Sequence, residues 1–111
     1  MSKFVKVQTE LRELALIKRS LDDLNLAYAE NEKFTHRWSG FSGAMPLVVK
    51  QPGAFFAFRE GENGVYEAVG DDMQMAGIRT TVQKVQQRYA YQKVLVEAES
   101  AGFSLVEESV G

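Results

Sequence analysis

Toward the C-terminus, Ile78, Val82, Val85, Tyr89 and Val96 recur at a spacing that, at about 100° per residue, places them in one narrow stripe. The spacing predicts a helix beginning between Gly77 and Thr80 and running to Ala101. Gly102 then acts as terminator, with Phe103 placed for the hydrophobic contact that accompanies such an ending. A helix lying on a sheet needs one apolar stripe. This one has a second: Tyr91, Leu95 and Ala98 form a strip on roughly the opposite side, with Val94 beside it. Its second half is therefore apolar almost all round, and something has to cover the surplus. The candidates are the chain's own loop around Trp38 and Phe41 or its termini, which is the commoner outcome, a second copy in a symmetric dimer, or another protein. For the last two, the expected partner-binding residues are Trp38, Arg88, Tyr91, Leu95 and Ala98.

Upstream the period changes. Across residues 3–11, Val5, Val7 and Leu11 alternate with Lys6, Gln8 and Glu10, the period of two of a half-buried strand. Leu14, Ile17, Leu21 and Leu24 return to helical spacing, and Asn25 follows where a left-handed C-cap is expected. Residues 26–31 read as a short strand, and 33–46 as a second short strand plus a loop near Gly40 and Gly43. The segments "PLVVK" and "AFFAFRE" flank "QPGA", where Pro52 and Gly53 supply type II turn chemistry. Asn63-Gly64 breaks the chain again before "VYEAVG", so residues 46–70 read as an antiparallel meander. "FSLVEES" offers one final strand. The order β-α-β(β)-β-β-α-β predicts one α+β domain over residues 1–111, with an antiparallel sheet and both helices packed on one face.

Composition narrows the function classes. The 111 residues carry a formal net charge of -2, which argues against a nucleic-acid reader held by a global positive field. There are no cysteines, so disulfides, thiolate metal sites and a cysteine nucleophile are excluded. The N-terminal "MSKFVKVQTE" lacks the apolar core of a signal peptide, and no stretch approaches the length of a membrane span. The expected location is the cytoplasm, without membrane association.

No catalytic or cofactor motif stands out, and no cofactor is expected. His36 is the single histidine; one imidazole cannot make a multi-histidine metal site, and it is expected in a solvated loop. Around it, "HRWSGFSG" mixes Arg37, Trp38 and Phe41 with glycines. Arg and Trp are enriched at binding hot spots, although a Trp tucked against the sheet is the commoner outcome. Arg88 shares a helix face with Lys84 beside the Tyr91 strip. It could grip a carboxylate or phosphate next to an aromatic ring, or simply lay its stem over apolar surface. A ligand pocket between sheet and loop would use Arg37, Trp38, Arg88 and Tyr89. Asp71 and Asp72 precede the long helix, where carboxylates suit the positive end of its dipole. Glu107 and Glu108 alternate faces on a strand and cannot act together. The leading expectation is a non-enzymatic regulatory or adaptor protein acting through protein contact. The alternative is a small-molecule or anion-binding domain.

Several segments also resemble an uncharacterised family. "QRYAYQKVLVEAESAGF" is similar to its helix signature. The opening "MSKF" with its strand–helix unit and "SLDDL", then "RWSG", "LVVK", "FRE", "YEAVGDD" and "GFSLVEE", extend the likeness over nearly the whole chain. The family is the ycf35-like group, a domain of unknown function. The resemblance implies a cyanobacterial, plastid, other bacterial or phage setting, with stroma or host cytoplasm as the matching compartment. It implies no activity. Members commonly continue into a further polar turn and strand, whereas this chain stops at Gly111, which would leave the sheet margin or adjacent helix face less covered.

Overall fold

A computed structural model describes residues 3–102. Its elements are β1 (Phe4–Gln8), α1 (Leu14–Asp23), β2 (Tyr28–His36), β3 (Phe41–Gln51), β4 (Ala54–Glu60), β5 (Tyr66–Asp71) and α2 (Met75–Ser100). The strands form one antiparallel sheet in the order β1-β5-β4-β3-β2. Both helices lie on one face of it. There Leu16, Ile17 and Leu21 of α1 and Ile78, Val82, Val85 and Tyr89 of α2 pack against Leu47, Val49, Phe56, Phe58 and Ala68. This is the expected α+β architecture. The anticipated strand after α2, with Phe103, Glu107 and Glu108, lies outside the described residues.

Local chemistry places each boundary. β1 ends at Gln8 rather than continuing to Leu11, because the Thr9 hydroxyl donates to Tyr66 O at 2.6 Å and accepts from Leu11 N at 3.0 Å, turning the chain. α1 ends as predicted at Asn25, which takes φ 57°. Leu26 N then donates to Leu21 O and Asn25 N to Asp22 O, the two bonds of a Schellman ending. Gly53 takes φ 74° in the β3–β4 turn, and Gly102 takes φ 83° after α2. α2 starts at Met75, earlier than the periodicity suggests, because Asp71 caps a short 3-10 turn through Met73 N that leads straight into it.

The main departure concerns β2 and β3. Residues 28–36 form one strand instead of two short ones, and the connection is only the four-residue turn 37–40, so Gly43 lies within β3. The ladder runs Glu30↔Leu47 and Glu32↔Met45, leaving Asn31 opposite Pro46 without a pair. Asn31 sits at φ 50°, a left-handed conformation that asparagine tolerates, and proline has no N–H to offer a ladder. Across this break both strands exchange faces. Tyr28, Leu47 and Val49 belong to the helix-side core, whereas Phe34 and Met45 belong to the opposite one.

The distal half of the hairpin thus folds over the second face of the sheet. Phe41 stacks on Phe4 at 4.5 Å and Phe34 on Phe55 at 5.2 Å, closing over Val48, Ala57 and Val69. The Arg59 guanidinium lies within 6 Å of both the Phe4 and Phe41 rings, at 5.7 and 5.8 Å, and its Nε bonds the nearly buried Glu67 at 2.8 Å. That pairing matters because an unpaired buried carboxylate is costly.

Gly77, in the first turn of α2, lets that turn approach the β3–β4 turn: a Cβ there would lie 2.1 Å from Gly53 O. Alanine improves helix propensity by about 1 kcal/mol. The obstacle is backbone, however, and overpacking of this kind costs about 1–3 kcal/mol or more. Gly77→Ala is therefore expected to lower the urea midpoint with an unchanged m-value, against the propensity trend.

Candidate functional site

Two surfaces carry the residues singled out by sequence, and they lie on opposite sides of the sheet. The first is the C-terminal half of α2. Ile78, Val82, Val85 and Tyr89 are buried as expected, but burial does not follow the stripe to its end. Gln92 is buried, and Val96, expected in the core, is 36% exposed. The Gln92 amide bonds Asp23 on α1, and Lys93 reaches Glu13 at 3.0 Å, the last side-chain bond from α2 to the body among the described residues. At 1.5 Å per residue the helix is about 39 Å long, and beyond Lys93 it runs on past the side-chain bonds to the other described elements. Val94 is 60% exposed and Tyr91 39%, with Leu95 and Ala98 partly exposed beside them.

Tyr89 is core, with a polar duty. Its hydroxyl accepts from Arg12 N at 3.2 Å and Glu13 N at 3.1 Å, fixing the link from β1 into α1 against α2. Arg88 does grip a carboxylate beside an aromatic ring, as its pattern suggested, but the carboxylate is the protein's own. Its Nε bonds Asp23 at 2.8 Å while the guanidinium sits 4.2 Å from the Tyr91 ring centre. Arg88 and Tyr91 line a hollow with Leu24, Lys84 and Gln87.

The second surface is a cleft of about 420 Å³ beside the β2–β3 hairpin tip, walled by Phe34, Thr35, His36, Arg37, Trp38, Phe55, Asp71, Met73 and Gln74. Here two expectations are corrected. His36 is not solvated but 4% exposed, because the hairpin lays it across the sheet. Its Nδ1 accepts from Ser39 N at 3.2 Å, which leaves the ring proton on Nε2 to donate to Asp71 Oδ2 at 3.0 Å. The Ser39 hydroxyl also lies 2.7 Å from Nδ1, and its oxygen accepts from Phe41 N. Trp38 is not tucked against the sheet; at the turn it is 69% exposed, together with Phe55 and Met73.

The expected sets therefore divide. Arg88, Tyr91, Leu95 and Ala98 share one region, but Trp38 lies across the sheet from them. Arg37 and Trp38 share the cleft, whereas Tyr89 and Arg88 line hollows on the helix side. The loop around Trp38 and Phe41 does not cover the second strip of α2. Sequence reasoning missed Phe34, Phe55, Met73 and Gln74 as cleft walls. Asn31 and Pro46, strand-disfavouring residues equidistant from the turn, were the signal that the hairpin switches faces. Asp72 accepts from Lys3 N at 3.0 Å and Asp71 is engaged with His36, so neither aspartate is merely a dipole partner. Among the described residues, no three His, Asp or Glu side chains gather closely enough to hold a metal ion, and no helix is long and apolar enough to cross a membrane.

Among the described residues these features define a small α+β fold of five strands and two helices, with the exposed large apolar side chains gathered on two opposed surfaces. Residues 20–111 match the family described as "Protein of unknown function (DUF1257)", and the chain belongs to it. It is 31% identical over 117 residues to "Uncharacterized protein ycf35" of Guillardia theta, covering 99% of this chain and 88% of that protein. It is 27% identical over 112 residues to the protein of the same name from Pyropia yezoensis, covering 97% and 87%. The Cyanophora paradoxa protein of that name is also 27% identical, over 111 residues, covering 97% of this chain and 87% of its own length. No solved structure matches significantly.

Two stability tests follow from the α1–α2 contact. Tyr89→Phe keeps the ring but strands two backbone N–H groups, so a loss of about 1–2 kcal/mol is expected in denaturant unfolding. The Arg88 hydrogen bond holds the Asp23 carboxyl below its ordinary pKa, reinforced by Gln92 and opposed by desolvation. A depressed carboxylate stabilises the fold in full above its unfolded value of about 3.9 and loses that contribution as pH falls through the lower folded value. The stability difference between wild type and Asp23→Asn should therefore be largest above about pH 5 and shrink progressively below about pH 4.

Proposed function

We propose that this protein works by contact rather than catalysis, as a non-enzymatic regulatory or adaptor domain whose docking element is the C-terminal end of α2. The observation that carries the reading is the exposure of Tyr91 and Val94, neighbours on one face, and of Val96 on another side of the same helix. Fully burying an exposed large apolar side chain is worth about 1.5–3 kcal/mol, and each of these three forgoes the fraction of it that is still in water. A segment apolar on more than one side suits insertion against another helix, with Tyr91, Leu95 and Ala98 as anchors at the i, i+4, i+7 spacing of such contacts.

The occupant this surface fits best is a second copy of the chain. In an antiparallel pair centred between Val94 and Leu95, Tyr91 meets Ala98 of the second copy, large against small. Arg88 then reaches the last turn of the other helix, whose unpaired carbonyls favour a cation. The surface is thus self-complementary, the requirement of a two-fold interface. The Ser39–His36–Asp71 chain has the residue types of a hydrolytic triad. Even so, Ser39 is bound into the hairpin turn through Phe41 N and is not among the cleft walls, which supports a structural tie. The alternative of a ligand pocket joining Arg37, Trp38, Arg88 and Tyr89 has no support, since these residues line separate hollows.

Light scattering coupled to size exclusion, over a concentration series, tests the proposal. Wild type is expected at twice the chain mass. Tyr91→Asp and Leu95→Asp, with unchanged circular dichroism, should dissociate at concentrations at least about tenfold higher than wild type, the loss expected for a charge at an apolar anchor. A wild type monomeric throughout, or two folded variants that assemble as wild type does, would overturn it.

A further inference from the structure

We propose that the cleft beside the β2–β3 hairpin tip is a binding site for a small organic acid with a flat apolar body, such as an aromatic carboxylate. The inference is independent of the α2 contact, which lies on the other side of the sheet.

The cleft offers two kinds of wall. Phe34 and Phe55 stack at 5.2 Å and form an apolar floor, extended by Met73 and the indole of Trp38. Met73, Phe55 and Trp38 are three of the most exposed large apolar side chains among the described residues, and all three line this one cleft. Such clustering marks a binding surface, where scattered exposure would not.

The polar walls are biased toward donors. Arg37 makes no hydrogen bond or ion pair among the described residues, and the Trp38 indole N–H makes none. Gln74 accepts from Phe55 N through Oε1 at 2.7 Å, which leaves its NH₂ group to donate. The acceptor that could oppose an anion is Asp71, and its oxygens are already bonded to His36 Nε2 and Met73 N. Donors without partners beside an apolar floor call for a ligand with an acceptor-rich, negatively charged end and an apolar body. A volume of about 420 Å³ suits a small molecule.

The Trp38 position supplies the assay, because it is the single tryptophan of the chain. Titration with phenylacetate is expected to shift Trp38 emission saturably and to move the Trp38 indole and Gln74 side-chain amide signals in ¹⁵N spectra. Phenylacetamide, with the same ring and no charge, should bind at least about tenfold more weakly, the worth of a charge-assisted hydrogen bond. Arg37→Gln should abolish that preference. Gln74→Glu keeps an acceptor for Phe55 N but replaces the donor with a carboxylate, so it should abolish phenylacetate binding in a folded protein. The proposal fails if neither spectroscopy shows saturation, if the shifted signals map to α2, or if acid and amide bind equally. It also fails if folded Arg37→Gln retains the acid preference.

Discussion

A sheet with large apolar side chains on both faces must have both faces covered, and this chain spends its two helices on one of them. The rest of the structure follows from how the other face is closed. The unpaired Asn31–Pro46 step lets both strands of one hairpin change sides without a change of register. Its proximal half serves the helix-side core and its distal half becomes the lid on the opposite side. The same step brings His36 to Asp71 and Phe41 to Phe4, residues far apart along the chain. It also leaves the turn 37–40, with Arg37 and Trp38, beside a cleft that would not exist if the hairpin stayed flat.

The helix-side core has its own limit. α2 is held along one side by Ile78, Val82, Val85 and Tyr89, and its polar side chains finish the contact through Gln92 to Asp23 and Lys93 to Glu13. Past those bonds the helix continues without a further side-chain bond to the other described elements. The apolar residues that follow keep the spacing of a core helix but belong to neither core cluster of the described residues. Burial at the base and exposure at the end belong to one periodic pattern, divided where those bonds stop.

What could be read from sequence was what neighbouring residues decide among themselves. The Asn25 ending, the Pro52-Gly53 turn and the periodicity of both helices depend on a few adjacent positions, and the structure has them where they were expected. The α+β layering followed from their order. The misreadings share a different cause. Val96 sits correctly on its stripe yet is 36% exposed, lying beyond the last side-chain bonds that tie α2 to the other described elements. His36 ends β2 and Trp38 stands two residues on in the turn, yet one is buried and the other exposed, because their surroundings are set by strands up to 35 residues away. No local pattern distinguishes them. The joining of the α2 strip to Trp38 failed for the same reason: the sequence shows that both are conspicuous, and only the curl of the hairpin decides which side each occupies.

The kink at Asn31 has a further consequence, for the outer margin of the sheet. Among the described residues β2 is an edge strand, and an uninterrupted edge is a template on which another extended chain can add and begin aggregation. Here the straight runs are short, one on each side of Asn31, and Glu30 and Glu32 are held there by ion pairs to Lys18 and Lys50. Beyond the kink the strand twists away over the sheet. A feature that shapes the interior thereby also guards the protein against polymerising through its own backbone.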